Sequence, residues 1–268
     1  MIERTREIAL PTGHAEAIES GPADRPMLVV LPPLGMNAEL MRPLREALDT
    51  RLHVVIVELP GSGTASRLGP TTTTRELGDD LATVIASLSA GPTNVLAISF
   101  GGFVAQWTAI DHGERIATLV LASTAAQGLD VALSGPARKL AIARALLGPE
   151  SVRAELAREI ETRGAEASPA EAARIESAVD STPRPSRELL FLVAAALRHD
   201  SREALAGVTA RTLVLSGGQD ALIPIALQDD LARRIHGAER VIVAGAGHDV
   251  TSEEPRRVAD EVLRFLGA

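Results

Sequence analysis

The chain has 268 residues, of which 46% are hydrophobic and 23% charged, and its formal net charge is −8. This length and composition suit one α/β domain with an insertion, and the negative charge argues against nucleic acid or an anionic membrane as partner. The chain lacks cysteine, which excludes disulfides, thiolate metal sites and a cysteine nucleophile. A charged N-terminus and the lack of a long apolar run predict no signal peptide, no membrane span and a cytoplasmic location.

Strand patterns begin at the N-terminus. Short strand candidates at 5–9 and 15–20 flank Pro11-Thr12-Gly13, which indicates an antiparallel opening. Continuous apolar runs that predict strands buried on both faces follow at Met27–Leu31, 53–57, 95–98 and Ile116–Ala122.

Helical segments separate these strands. Residues 39–48 predict a helix with Asn37 as its cap, and the run of threonines at 71–74 predicts the cap of a second helix. Strands and helices that alternate in this way are typical of a parallel sheet with right-handed crossovers.

The alternation stops after Thr124. Residues 125–206 are Ala-rich, charged and helical in pattern, with proline-containing joints and no strand-like run, so they predict an inserted helical cap. Strands at 212–216 and 240–243 and a closing amphipathic helix at Pro255–Leu266 then resume the sheet. We therefore expect a core formed by 1–124 and 207–268 and a cap formed by 125–206.

Ser99 stands between a short apolar strand and a helical segment. A serine at this point requires a sharp turn, and the small residues Ala97 and Gly101 on either side fit the crowding of such a turn. The turn raises the hydroxyl above the sheet and directs N–H groups of the next helix at the same point. The pattern predicts a nucleophile on such a turn, called the elbow below, with an ordinary strand-to-helix turn as the alternative.

A serine hydroxyl needs a base and a third group that orients the base. His248 follows the last strand in a glycine-rich loop and is the best candidate for the base, the alternative being a turn histidine in solvent. The histidines with less suitable positions are His14, His53, His112, His199 and His236.

Asp220 is the candidate acid because it follows the strand at 212–216 and completes the chain order Ser, acid, His. Asp249 is the rival carboxylate, but neighbouring residues point in different directions.

Two backbone N–H groups should hold the oxyanion. One belongs to Phe100, directly after the nucleophile, and the other to Leu34 in the turn after Met27–Leu31. Pro32 and Pro33 have no N–H group. Met36 is the substitute if the turn is wound differently.

Several segments together resemble α/β-hydrolases of the capped esterase, lactonase and C–C hydrolase type. The elbow helix at 101–107 and the Leu34-Gly35 turn are most similar to 3-oxoadipate enol-lactonase-like members. The resemblance covers nearly the whole chain except the cap, and the segments that carry it are 31–35, 58–63, 97–102, 119–123, 217–224, 245–248, 253–255 and 265–266.

The chain departs from the usual pattern of this family at three places. They are Pro32-Pro33 where His-Gly is common, Glu58 where Asp is common, and Ser62 where His is common. The prolines stiffen the oxyanion turn and remove an imidazole that usually braces it.

The resemblance implies an α/β-hydrolase fold, with a mostly parallel central sheet of about eight strands flanked by helices and an inserted all-helical cap. It also implies a serine hydrolase that acts on a small-molecule carboxylic ester, lactone or thioester through an acyl-enzyme on Ser99, without a cofactor or metal. A C–C bond hydrolase, a lyase or cyclase with the same triad and a small-molecule receptor stay open as alternatives, and so does the oligomeric state.

The residues expected to line the substrate pocket are Leu34, Phe100, Phe191 and Ile223. Phe103 and Trp107, four residues apart on the elbow helix, are expected in the core. Arg184 or Arg187 would suit a substrate carboxylate, although solvated surface arginines are the more common case.

Overall fold

The computed structural model describes residues 4–128 and 186–268, and one eight-stranded sheet runs through both parts. The strands are β1 (Arg4–Leu10), β2 (Gly13–Ser20), β3 (Met27–Leu31), β4 (His53–Glu58), β5 (Thr93–Ile98), β6 (Ile116–Ala122), β7 (Arg211–Gly217) and β8 (Glu239–Val243). Their spatial order is β1-β2-β4-β3-β5-β6-β7-β8. The pairs β1/β2 and β2/β4 are antiparallel, and all pairs from β4/β3 to β7/β8 are parallel. The predicted α/β fold with a mostly parallel sheet is confirmed.

Helices cover both faces of the sheet. They are α1 (Arg42–Leu48), α2 (Thr74–Leu88), α3 (Phe100–Asp111), α4 (Ser186–Arg198), α5 (Ile225–Arg234), α6 (Val250–Glu253) and α7 (Pro255–Leu266). Apolar residues of α1, α6 and α7 form one buried cluster with one face of the sheet, and those of α2, α3, α4 and α5 form a second cluster with the other. In the two described parts of the chain, no helix is long and apolar enough to cross a membrane.

The first helix is shorter than predicted. It begins at Arg42 instead of residue 39, and Met41 precedes it without a side-chain cap. Asn37 accepts a hydrogen bond from the N–H of Glu39 at 3.2 Å and so closes a local turn. Pro43 has no N–H, which costs nothing in the first turn of a helix, and this favours a helix that starts directly before it.

The second helix begins in the predicted threonine run. The hydroxyl of Thr73 accepts a hydrogen bond from the N–H of Glu76, and the Glu76 carboxylate accepts one from the N–H of Thr73 at 2.7 Å. This reciprocal capping box satisfies two N–H groups that the helix leaves free at its start.

The two ends of the predicted cap lie side by side. Gln127 and Asp200 form an isolated antiparallel bridge, and the N–H of Ser201 donates to the carbonyl of Ala126 at 3.0 Å. This paired segment, residues 126–128 and 199–201, is called the stem below. Residues 129–185, which contain most of the predicted cap, lie outside the described residues, so the domain boundaries stay a prediction.

His199 anchors the stem to the core. Its ring stacks on Phe103 at 4.2 Å between centroids, and its Nδ1 lies 3.0 Å from the hydroxyl of Thr74 at the start of α2. The side chain is almost fully buried, and burial lowers the pKa of His199 from the ordinary 6.5 to about 3. The imidazole is therefore neutral in the folded protein at moderately acidic pH.

This lowered pKa makes the stability depend on pH. The unfolded chain binds a proton at His199 as the pH falls below 6.5, whereas the folded protein does so only near pH 3. Stability is therefore lost across this window, by at most about 1.4 kcal/mol per pH unit from this one group. When urea unfolding is measured at several pH values, the free energy of unfolding of His199→Gln should fall less steeply with decreasing pH than that of the wild type.

His236→Gln is the matched control because His236 is exposed, and its pH dependence should follow that of the wild type. If the free energy of unfolding of His199→Gln changed with pH as steeply as that of the wild type, the buried ring would not be the titrating group.

Candidate active site

Ser99 occupies a strained backbone conformation between β5 and α3. Its φ is 51° and its ψ is −113°, a combination that residues other than glycine rarely adopt. The N–H of Ser99 donates to the carbonyl of Ala122 at 2.9 Å, and the hydroxyl of Thr124 donates to the carbonyl of Ser99 at 2.8 Å. The end of β6 therefore holds both sides of the strained peptide.

Gly101 is required by a close approach to the neighbouring strand. A Cβ added at Gly101 would lie 2.7 Å from the carbonyl oxygen of Pro32 and 2.9 Å from Cβ of Leu31. The sequence predicted crowding between Ala97 and Gly101 themselves, whereas the nearest atoms belong to the end of β3. The start of α3 thus lies directly against the turn that follows β3.

His248 joins Ser99 to Asp220. Its Nε2 lies 3.1 Å from the hydroxyl oxygen of Ser99, and its Nδ1 lies 3.0 and 3.1 Å from the two carboxylate oxygens of Asp220. A carboxylate only accepts hydrogen bonds, so Nδ1 carries the proton and Nε2 is left to accept from the serine. The structure brings together the three residues that the sequence selected.

Asp249, the rival acid, has a different partner. Its carboxylate accepts a hydrogen bond from the hydroxyl of Thr251 at 3.2 Å. The histidine loop is instead held by Glu253, whose carboxylate accepts from the N–H of Gly247 at 2.6 Å. Burial is the main cause that raises the pKa of Glu253, and the hydrogen bond from Gly247 opposes it.

The Asp220 carboxylate has further donors besides His248. The N–H groups of Leu222 and Ile223 donate to Oδ1 at 2.9 and 2.7 Å, and the side-chain amide of Gln228 donates to Oδ2 at 3.0 Å. Sequence reasoning did not identify Gln228, because a glutamine within an amphipathic helix carries no pattern that sets it apart.

The turn after β3 is fixed by a backbone hydrogen bond. The N–H of Met36 donates to the carbonyl of Pro33 at 3.0 Å, and Gly35 has a φ of +66°. These values describe a β-turn with glycine in the left-handed third position, as in type II turns. Leu34 occupies the second position, whose N–H takes no part in closing the turn.

Glu58 ties two loops at this edge of the sheet. Its buried carboxylate accepts hydrogen bonds from the N–H of Ala38 at 2.8 Å and from the N–H of Thr64 at 3.0 Å. A Cβ on Gly63 would overlap this carboxylate. The residue that the sequence marked as a departure therefore connects the loop after β3 with the loop after β4.

The four predicted lining residues belong to one apolar cluster. Phe100 and Ile223 are buried in it, and Leu34 and Phe191 pack against it. Phe103 is buried too, as predicted. Two arginines are candidates for binding a substrate carboxylate. Arg184 and the side chain of Arg187 both lie outside the described part of the chain.

Trp107 is only partly buried. The guanidinium of Arg75 lies 4.8 Å from the centre of its ring. The expectation of a core position therefore holds for Phe103 but only in part for Trp107.

A possible set of metal ligands lies on the hairpin of β1 and β2. Among the described residues, Glu7, His14 and Glu16 place ligand atoms within 4.8 Å of one another. The ring nitrogens of His14 already lie 2.8 Å from the hydroxyl of Ser66 and 3.4 Å from the carbonyl of Thr64. None of these three described residues contributes a hydrogen bond to Ser99, His248 or Asp220.

Comparison with known proteins agrees with this architecture. Residues 26–255 match the model of a family described as alpha/beta hydrolase fold. The poly(3-hydroxyalkanoate) depolymerase of Ectopseudomonas oleovorans is 32% identical over 253 residues, which cover 93% of this chain and 87% of that protein. The pimeloyl-(acyl-carrier protein) methyl ester esterase of Vibrio vulnificus is 26% identical over 248 residues, which cover 90% of this chain and 94% of that protein.

A solved structure is similar over its full length. The enol-lactonase of Burkholderia xenovorans LB400 superimposes with a TM-score of 0.81 and 22% identity, and the match covers 98% of this chain and all of that chain. At this identity the likeness shows a shared fold.

The contact at Gly101 predicts a stability loss. Gly101→Ala forces Cβ against the backbone of Pro32, so α3 must shift away from β3, which should cost about 1–3 kcal/mol. Gly91→Ala is the control, because a Cβ there meets nothing within 4 Å. Its stability should stay within about 0.5 kcal/mol of the wild type.

Urea unfolding of the two variants beside the wild type measures this difference. If Gly101→Ala were as stable as Gly91→Ala, the close approach to β3 would not constrain the elbow.

Proposed function

Because the chain belongs to the α/β-hydrolase fold family and is a hydrolase, we propose that it cleaves a carboxylic ester, lactone or thioester of a small molecule through an acyl-enzyme on Ser99. The observation that carries this proposal is the continuous hydrogen-bonded chain from Ser99 through His248 to Asp220, with distances of 3.1 and 3.0 Å. Such a chain activates a serine hydroxyl as a nucleophile.

The first half of the reaction forms the acyl-enzyme. The hydroxyl oxygen of Ser99 attacks the carbonyl carbon while Nε2 of His248 takes the hydroxyl proton. The Asp220 carboxylate holds Nδ1–H and stabilises the imidazolium. The carbonyl oxygen becomes an oxyanion that accepts hydrogen bonds from the N–H groups of Phe100 and Leu34. His248 then gives its proton to the leaving oxygen or sulfur, and the C–O or C–S bond breaks.

The second half releases the acid. A water molecule gives a proton to His248 and attacks the acyl carbon, and the same two N–H groups hold the new oxyanion. Collapse of this intermediate breaks the bond to Ser99, and His248 returns its proton to the serine oxygen. Each step uses the side chains and backbone of this chain.

The relatives support an ester as the substrate class. The Ectopseudomonas oleovorans relative is a poly(3-hydroxyalkanoate) depolymerase, and the Vibrio vulnificus relative is a pimeloyl-(acyl-carrier protein) methyl ester esterase. The choice among ester, lactone and thioester, the cytoplasmic location and the absence of nucleic-acid partners stay predictions.

The first test is hydrolysis of p-nitrophenyl esters from acetate to decanoate. Wild-type protein should turn over part of the series, and Ser99→Ala should lower kcat by about 10⁵-fold or more because no acyl-enzyme forms. Ser87→Ala is the control, since Ser87 lies on α2 with its hydroxyl bonded to the carbonyl of Val84. It should retain wild-type rates.

Full turnover by Ser99→Ala would exclude the covalent step. A folded wild-type protein that left every ester intact would exclude a simple esterase and favour C–C cleavage, lyase chemistry or ligand sensing.

The second test removes one oxyanion donor. Leu34→Pro deletes the N–H group at a turn position that proline favours, so the turn should persist. Because a single oxyanion donor is typically worth about 10²–10³ in kcat, the variant should lose activity by that factor. Leu34→Ala, which shortens the side chain but retains the N–H, should lose much less.

Steady-state kinetics with the best p-nitrophenyl ester compares the two variants, with circular dichroism as the test of folding. Equal kcat values for Leu34→Pro and Leu34→Ala would remove Leu34 from the oxyanion hole.

A further inference from the structure

Gln228 is a fully buried glutamine on α5 whose amide is completely paired. Its Nε2 donates to Oδ2 of Asp220 at 3.0 Å and to the carbonyl of Ile223 at 2.8 Å. Its Oε1 accepts from the hydroxyl of Ser216, near the end of β7. One side chain thus connects the helix, the strand and the loop that carries Asp220.

We propose that Gln228 is a positioning residue for the catalytic acid, which fixes the plane of the Asp220 carboxylate and through it the ring of His248. The proposal rests on the function proposed above, because it assigns a role within the same site.

The two carboxylate oxygens of Asp220 have different supports. Oδ1 is held by the backbone N–H groups of Leu222 and Ile223. Nδ1 of His248 lies 3.1 Å from Oδ1 and 3.0 Å from Oδ2, and the amide of Gln228 donates to Oδ2. The backbone bonds hold Oδ1, and Gln228 adds a side-chain donor on Oδ2, so rotation of the carboxylate about its Cβ–Cγ bond would break hydrogen bonds on both oxygens.

The surroundings of Gln228 allow only one orientation of its amide. The Asp220 carboxylate and the carbonyl of Ile223 are acceptors, so both must face the NH₂ group. A flipped amide would place Oε1 against two acceptors and leave the hydroxyl of Ser216 without an acceptor. The orientation of the amide is therefore determined by its partners, which makes it a rigid support.

Packing alone does not require a glutamine at this position. The neighbouring Leu231 and Ile223 belong to the buried apolar cluster, where a leucine or methionine would fill the same space. A buried amide lowers stability unless its hydrogen bonds are made. The polar group at this position is explained by its three partners Ser216, Ile223 and Asp220, of which Asp220 is the proposed catalytic acid.

Gln228→Leu tests the proposal in the ester assay. Loss of the donor should lower kcat by about tenfold or more, the scale known for removal of the hydrogen-bond partner of a metal-ligating side chain. KM should stay unchanged, because Gln228 is fully buried and its side chain bonds to Asp220, Ile223 and Ser216.

Gln106→Leu is a closely matched control. Gln106 is also fully buried, donates to the carbonyl of Ala125 at 3.0 Å and accepts from the hydroxyl of Ser201 at 2.6 Å. It lies on α3 and makes no hydrogen bond to Asp220. Its variant should lose stability to a similar degree but retain the kcat and the pH–rate profile of the wild type.

Gln228→Glu adds a readout that a purely structural role would not change. The new carboxyl is nearly isosteric with the amide, and it donates to Asp220 only while it is protonated. Once ionised, it places a second carboxylate about 3 Å from Asp220, and like charges so close oppose each other. The ratio of the kcat of the variant to that of the wild type should therefore fall as the pH rises, because the new carboxyl ionises whereas the amide of Gln228 does not.

The outcomes separate this proposal from the proposed function. Wild-type kcat in Gln228→Leu, or a wild-type pH–rate profile in folded Gln228→Glu, would overturn the positioning role while Ser99→Ala is inactive. If Ser99→Ala were active, the proposed function itself would fail. Should Gln228→Leu not fold, the pH–rate profile of the isosteric variant decides alone.

Discussion

The left-handed backbone of Ser99 is the constraint on which the rest of the site depends. Such a conformation costs on the order of 1–3 kcal/mol, and surrounding contacts must stabilise it. Ala122 and Thr124 supply two of these contacts from the end of the next strand. The contact of Gly101 with the end of β3 fixes the other side. The register of β3, β5 and β6 therefore determines where the hydroxyl lies.

Buried polar side chains hold the loops at the carboxyl ends of the strands. Glu58 joins the loops after β3 and β4, Glu253 holds the histidine loop, and Gln228 supports the loop of Asp220. Loops carry exposed N–H groups that need acceptors, and a buried carboxylate or amide can satisfy them where water is excluded. Each loop that bears a proposed catalytic group is fixed in this way.

Much of this arrangement could be predicted from the sequence. Buried parallel strands are continuous apolar runs, and the carboxyl ends of such strands meet at one edge. Ser99, Asp220 and His248 could therefore be selected from their positions after strands together with the chain order Ser, acid, His. Gln228 could not, because its role depends on how the loop after Asp220 folds back onto α5. The true neighbour of Gly101 likewise depends on strand order, which periodicity does not contain.

The aromatic rings below the elbow link the site to the stem. Phe100, whose N–H is a proposed oxyanion donor, contacts Phe103 edge to face at 6.4 Å between centroids, and Phe103 stacks on His199. Burial favours the neutral imidazole in this stack, and the Asp200 carboxylate offsets the lowering of the His199 pKa only in part. The ring of Phe103 therefore packs between Phe100 at the start of α3 and His199 in the stem.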